Sequence, residues 1–154
     1  MKKAFIVDST LAANQALLDQ YNIIIQPLYA IINEESRKDL LEVTPDEFYQ
    51  ELDQGAIGST SQPSAGDFLE TYEKLKADGY TDVFVFTLSK KLSGTHQSAT
   101  TASEMIDGIA VHVIDTNTSS ATVTAVVIDV IEFAKTTDDV EAIIAFGVEK
   151  FARI

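Results

Sequence analysis

The sequence has no cysteine and no tryptophan, and only two arginines, two histidines and three prolines in 154 residues. Without cysteine there is no disulfide, no thiolate zinc centre and no cysteine nucleophile. Arg37 and Arg153 are the only arginines, so no arginine clamp for an anion can be assembled within the chain. Long apolar runs are missing as well: none approaches the ~20 residues that span a bilayer. The opening Met1–Asp8 begins like a secretion signal. Asp8 ends its apolar run far too early, and no small-residue cleavage site follows. It is read as a first strand, and the protein as cytoplasmic. Positive charge is scarce, with 11 Lys and Arg against 24 Asp and Glu, a net charge of −13 and a pI near 4.3. Such a surface repels nucleic acid and anionic headgroups. An anionic ligand has to be held by local geometry, against the global field.

What is present suits one domain with a real core. The apolar share is 45% and the mean hydropathy +0.07. No repeat, low-complexity tract or Pro/Gly-rich linker interrupts the chain. Lys3–Val7 reads as a buried strand and Leu11–Tyr21 as a helix. Ile23–Ile32 reads as a second strand, with Pro27 marking an edge or a bulge. Asn33–Val43 is a polar excursion. Thr44 caps the next helix, Pro45 takes its first position and Glu47 completes a capping box. Asp53–Gly66 reads as a loop and Asp67–Ala77 as a helix. Val83–Leu88 is a third strand, Ser93–Met105 a helix, Val111–Asp115 a fourth strand and Ser119–Ala134 a helix. Thr137–Arg153 closes the sequence as a helix capped by Thr137, with Val140, Ile143, Ile144, Phe146 and Val148 mostly on its apolar side. Strands alternating with helices predict an α/β fold, a mostly parallel sheet with helices on both faces. Ligands in such sheets bind at the carboxyl ends of the strands.

Hydroxyl side chains dominate the loops at those ends: Asp8-Ser9-Thr10, Ser89–His96 and Asp115–Ser120, with Ser59–Ser64 between two helices. Ser93-Gly94-Thr95 stands where a helix begins, so unpaired N–H groups point outward and the helix dipole adds about half a positive charge. Gly94 lets a ligand approach the backbone. A carboxylate or phosphate fits there without a cationic side chain. The plainer alternative is that Ser93 only caps the helix. Likewise Thr60-Ser61-Gln62-Pro63-Ser64 is either a rigid loop edged with donors or an ordinary surface turn.

Catalytic patterns are missing. Asp8 is not a phosphatase nucleophile of the haloacid-dehalogenase type, because position 10 is Thr where a second acid is needed. It orders the loops through backbone N–H groups or caps the following helix. His112 lies within a strand and reads as structural; His96, which follows Ser93-Gly94-Thr95, is a minor candidate for orienting a ligand. No Gly-x-Ser-x-Gly elbow, Walker A loop or Gly-x-Gly-x-x-Gly turn is found. The carboxylates are dispersed as on a solvated surface, which gives no metal site.

Taken together, Ile6-Val7-Asp8-Ser9-Thr10, Ile25–Tyr29, Thr44–Tyr49, Thr60-Ser61-Gln62-Pro63-Ser64, Leu92–Ala99 and Val113–Thr116 resemble the DegV family of bacterial proteins, in that family's order. The resemblance implies a DegV-like N-terminal α/β domain over residues 1–154, with the family's C-terminal domain absent. It implies a non-catalytic carrier for a long-chain fatty acid, with no other cofactor. The acyl carboxylate would be held by hydroxyls and backbone amides of Thr60, Ser61, Ser93, Gly94 and Thr95, and some members present the acid to a fatty acid kinase. A lone half-tunnel would bind acids weakly and expose an apolar face open to self-association. Asn117–Val127 lacks the glycine usual in the family, so the packing of that helix is expected to differ. The alternative is a phosphotransferase-related protein that binds a phosphorylated small molecule, since a helix N-terminus suits phosphate equally.

Overall fold

The fold is that of a computed structural model describing residues 1–11, 15–38, 44–55, 58–118 and 123–154. Four strands form one parallel sheet: β1 (Lys3–Asp8), β2 (Ile23–Gln26), β6 (Asp82–Thr87) and β7 (Ala110–Asp115), in the order β2-β1-β6-β7. A second, antiparallel sheet holds β3 (Tyr29–Ile32), β4 (Glu35–Lys38) and β5 (Gly58–Ser61), in the order β4-β3-β5. The helices are α1 (Gln15–Gln20), α2 (Pro45–Asp53), α3 (Ala65–Ala77), α4 (Thr95–Glu104), α5 (Val123–Ala134) and α6 (Val140–Phe151).

The expected α/β architecture is found, and residue alternation explains its two cores. Phe5, Val7, Phe84 and Phe86 point to one face and pack with Leu18 of α1, Val127 and Ile131 of α5, and Ile143 and Phe151 of α6. Ala4, Ile6, Val83 and Val85 point to the other and pack with Phe68, Tyr72 and Leu75 of α3 and Ala99 and Ala102 of α4. Continuous apolar runs are what a sheet covered on both faces requires. The chain leaves β1 towards β2 on one side, and β6 then takes the other side of β1. That reversal between β1 and β6 is where a doubly covered sheet opens its crevice.

Four expectations need correction. Ile23–Ile32 is two strands in two sheets. Pro27 cannot donate to a ladder, and the chain turns out of the parallel sheet after Gln26. The polar excursion contains β4, joined to β3 by Asn33 and Glu34, both at positive φ (50° and 68°). The Asp53–Gly66 loop contains β5, whose four residues are all exposed. The last helix starts at Val140, capped by the Asp139 side chain accepting from Ala142 N–H at 3.2 Å, and Thr137 instead accepts from Asp139 N–H. Val148 is exposed there. Residues 119–122, expected as the first turn of the fifth helix, and residues 12–14, expected within the first, lie outside the described residues. Thr44 and Pro45 begin α2 as expected, with Thr44 Oγ1 accepting from Glu47 N–H. A box with both reciprocal bonds forms between Ser64 and Asp67 at the start of α3.

Tyr72 joins the two helices of the second core. It is fully buried, and its hydroxyl donates to the Ala99 carbonyl at 3.1 Å. Burial pushes the phenol far above its ordinary range, so it remains a donor at any working pH. Tyr72→Phe is expected to cost about 1 kcal/mol in urea unfolding with an unchanged slope. A loss below ~0.3 kcal/mol would mean that the bond contributes nothing net.

Candidate functional site

The carboxyl ends of β1, β6 and β7 carry the loops that the sequence singled out, and Asp8 joins two of them. Its side chain is buried (1% exposed) at the end of β1. One carboxylate oxygen accepts from Leu88 N–H at 2.6 Å, just past β6; the other accepts from Thr10 N–H at 2.9 Å and from the Thr10 hydroxyl. The carboxylate therefore spans the crevice between β1 and β6. Burial pushes its pKa up from the ordinary 3.8, against the lowering effect of the Thr10 hydroxyl and the Leu88, Thr10 and Leu11 backbone groups. Asp8 orders the loops, as one reading of the sequence held. Its neighbour Ser9 accepts from Leu28 N–H at 3.0 Å and so fixes the exit of the chain into the second sheet.

Asp115 does at β7 what Asp8 does at β1, accepting from Asn117 N–H at 2.9 Å and Lys90 N–H at 3.3 Å. The Thr116 hydroxyl donates to the Thr87 carbonyl at 2.8 Å, and Ser89 N–H to the Thr118 carbonyl at 2.9 Å. The segment from Ser89 to α4 is thus held on both sides. Thr87 itself is fully buried at the end of β6, with a hydroxyl that has no hydrogen-bond partner among the described residues.

Helix α4 starts two residues later than expected. Its N-cap is Gly94, at φ −81° and ψ 7°, and Ser93 lies outside the helix. Ser93 Oγ accepts from Thr95 N–H at 3.2 Å and shares a 2.9 Å hydrogen bond with Thr95 Oγ1. Thr95 is fully buried, so it lies beneath Ser93 and fixes the direction of that hydroxyl. His96 is half-buried in the first turn of α4. His112 sits on the Phe84 ring with centroids 4.9 Å apart and its Nε2 3.2 Å from Asp82 Oδ1, a structural place in β7.

The Thr60 segment meets this helix start. β5 pairs with β3 in the register Thr60↔Ala30 and Ser61↔Tyr29, so the Thr60 and Ser61 side chains leave the strand on opposite faces. Gln62 then reaches across, and its Oε1 accepts from Gly94 N–H at 2.9 Å. Pro63 is buried, and Ser64 starts α3. The sequence located both loops; it did not signal that Gln62 is the side chain that joins them. A cavity of about 270 Å³ lined by Lys3, Phe5, Tyr21, Tyr80 and Lys135 opens at the amino ends of the strands, away from these loops. No group of three His, Asp or Glu side chains that could hold a metal is found among the described residues. No helix among them is long and apolar enough to cross a membrane.

The comparisons with known proteins agree with this architecture. The model of the DegV family, described as uncharacterised, matches residues 2–149. A DegV domain-containing protein of Staphylococcus aureus is 39% identical over 117 residues, covering 75% of this chain and 41% of the relative. A fatty acid-binding protein of Thermotoga maritima is 40% identical over 127 residues, 80% of this chain and 43% of the relative. The solved structure of a DegV lipid binding protein from Thermotoga maritima superposes with a TM-score of 0.89 at 34% identity, over 99% of this chain and 55% of that one. A DegV family protein from Thermus thermophilus, described by its fatty acid binding, gives 0.86 at 32%, over 99% and 54%. The chain thus spans about half the length, or less, of the relatives it matches. Two strand-end loops facing one helix start, in a chain whose residues 2–149 fit the family's model, leave one assignment: this chain belongs to the DegV family.

Proposed function

We propose that this chain carries the headgroup half of a fatty-acid site, with the carboxylate held by Ser93, the Gly94 N–H and one of Thr60 or Ser61. The observation that supports this most is the Gln62–Gly94 hydrogen bond, which brings the two hydroxyl loops together at the start of a ten-residue helix. An anion there meets the positive end of the helix dipole and, by displacing the Gln62 carboxamide, the Gly94 N–H, with no need for arginine. Thr95 acts through Ser93, whose hydroxyl it orients. Leu92, 66% exposed beside Ser93, offers apolar surface to the first methylenes. The role is that of a carrier, and the loaded acid is presented to a kinase that forms the acyl phosphate. The relatives named for fatty acid or lipid binding support the ligand class.

A long tail needs far more burial than this open edge supplies, at roughly 0.8 kcal/mol per methylene. We propose that further chain, of the kind the longer relatives contain, covers the tail. In a longer form that carries such a covering segment, mass spectrometry of the denatured, freshly purified protein should find a co-purified acyl chain. Ser93→Ala and Thr60→Ala should each retain about tenfold less of it, the effect of one hydrogen bond to a charged group. Lipid kept at wild-type levels by both variants sinks the site assignment.

A further inference from the structure

The backbone of Gly94 does not need glycine. Its φ of −81° and ψ of 7° are open to any residue. What a side chain there would meet is Gln62: a Cβ would lie 2.5 Å from both Gln62 Oε1 and Nε2 and 2.8 Å from the Gln62 carboxamide carbon, the far end of a side chain that can move aside. The carboxamide is therefore laid flat on the Gly94 Cα while its oxygen takes the Gly94 N–H. The N-cap residue supplies no side-chain cap to α4; Ser93 Oγ serves the Thr95 N–H, and the acceptor for the Gly94 N–H comes from 32 residues away.

A carboxamide has the size and planarity of a carboxylate. We propose that Gln62 is a built-in surrogate for the ligand headgroup: it occupies the Gly94 N–H while the site is empty, and an incoming carboxylate displaces it. This rests on the fatty-acid reading above. The exchange is feasible because a charged acceptor makes a hydrogen bond roughly twice as strong as a neutral one. It is reversible because Gln62 is exposed and can swing into water. Gln62 thus sets a threshold. Headgroups that accept no better than an amide gain nothing by displacing it, and the apparent affinity for acids is reduced by the fraction of molecules in which the contact is closed.

The test measures palmitate binding by calorimetry and follows the Gly94 amide resonance during an acetate titration, in the wild-type protein and in Gln62→Ala. The variant should bind palmitate about three- to tenfold more tightly, the equilibrium weight of one net neutral hydrogen bond. Its Gly94 amide should shift at acetate concentrations that leave the wild type unmoved. Gln62→Glu, which tethers a charged acceptor in the same place, should bind palmitate more weakly than wild type. Unchanged or weaker palmitate binding by Gln62→Ala overturns the proposal and leaves the fatty-acid reading standing. If neither protein takes up palmitate, and a longer form with the covering segment takes up none either, the fatty-acid reading fails. The acetate shifts then decide alone: a difference between the two proteins supports the displaceable contact, and identical shifts refute it.

Discussion

Asp8→Ala is expected to lose about 3 kcal/mol of stability and to lower the thermal midpoint by roughly 6–12 °C. The substitution leaves the buried Leu88 N–H and the half-buried Thr10 N–H without their acceptor. Each orphaned buried donor costs about 1–3 kcal/mol, partly offset by no longer burying a carboxylate. Asp8→Asn should cost about 1–2 kcal/mol, because an amide oxygen can still serve Leu88 N–H while its NH₂ faces the Thr10 N–H. Wild-type stability from either Asp8→Ala or Asp8→Asn in chemical denaturation means that the carboxylate does not hold β1 to β6.

The same group gives a pH dependence with a definite sign. Burial raises the folded-state pKa of Asp8 above the unfolded 3.8, so the folded protein binds this proton more tightly. That contribution is complete below pH 3.8 and is lost as the pH rises through the raised folded value. Wild-type stability relative to Asp8→Asn should therefore fall over this window and level off above it. A relative stability that climbs with pH would show that the hydrogen bonds outweigh burial.

The parts of the fold that the sequence made legible are those written in apolar periodicity. Ala4–Val7 and Val83–Phe86 are unbroken apolar runs, and they lie in the two central strands. β5 had no such signal. Gly-Ser-Thr-Ser has no apolar side, and its place is set by the backbone ladder to β3. β4 was hidden for a related reason: its turn uses Asn-Glu at positive φ, not the Asn-Gly that marks such hairpins. Helix starts shifted by two or three residues where several capping residues compete, as at Ser93 and Gly94 or Thr137 and Asp139. At the site, composition picked out the two hydroxyl loops. The long-range pairs that organise them, Asp8 with Leu88 and Gln62 with Gly94, join residues 80 and 32 positions apart, which no local pattern encodes.

Gly94→Val should reduce palmitate affinity about 100-fold while changing stability by no more than about 1 kcal/mol. The two halves of this expectation come from different observations. Stability is spared because φ is −81°, in contrast to Gly79 at +87°, where a side chain would be strained by the backbone itself. Binding is lost because the valine side chain fills the space over Gly94 that the Gln62 carboxamide now takes, so no headgroup oxygen can reach the Gly94 N–H or approach Ser93. Two hydrogen bonds to a charged acceptor are worth at least the factor of 100. Affinity kept within threefold would move the headgroup away from α4. A variant that unfolds would make Gly94 a structural glycine, and the ordinary backbone angles at that position argue against that outcome.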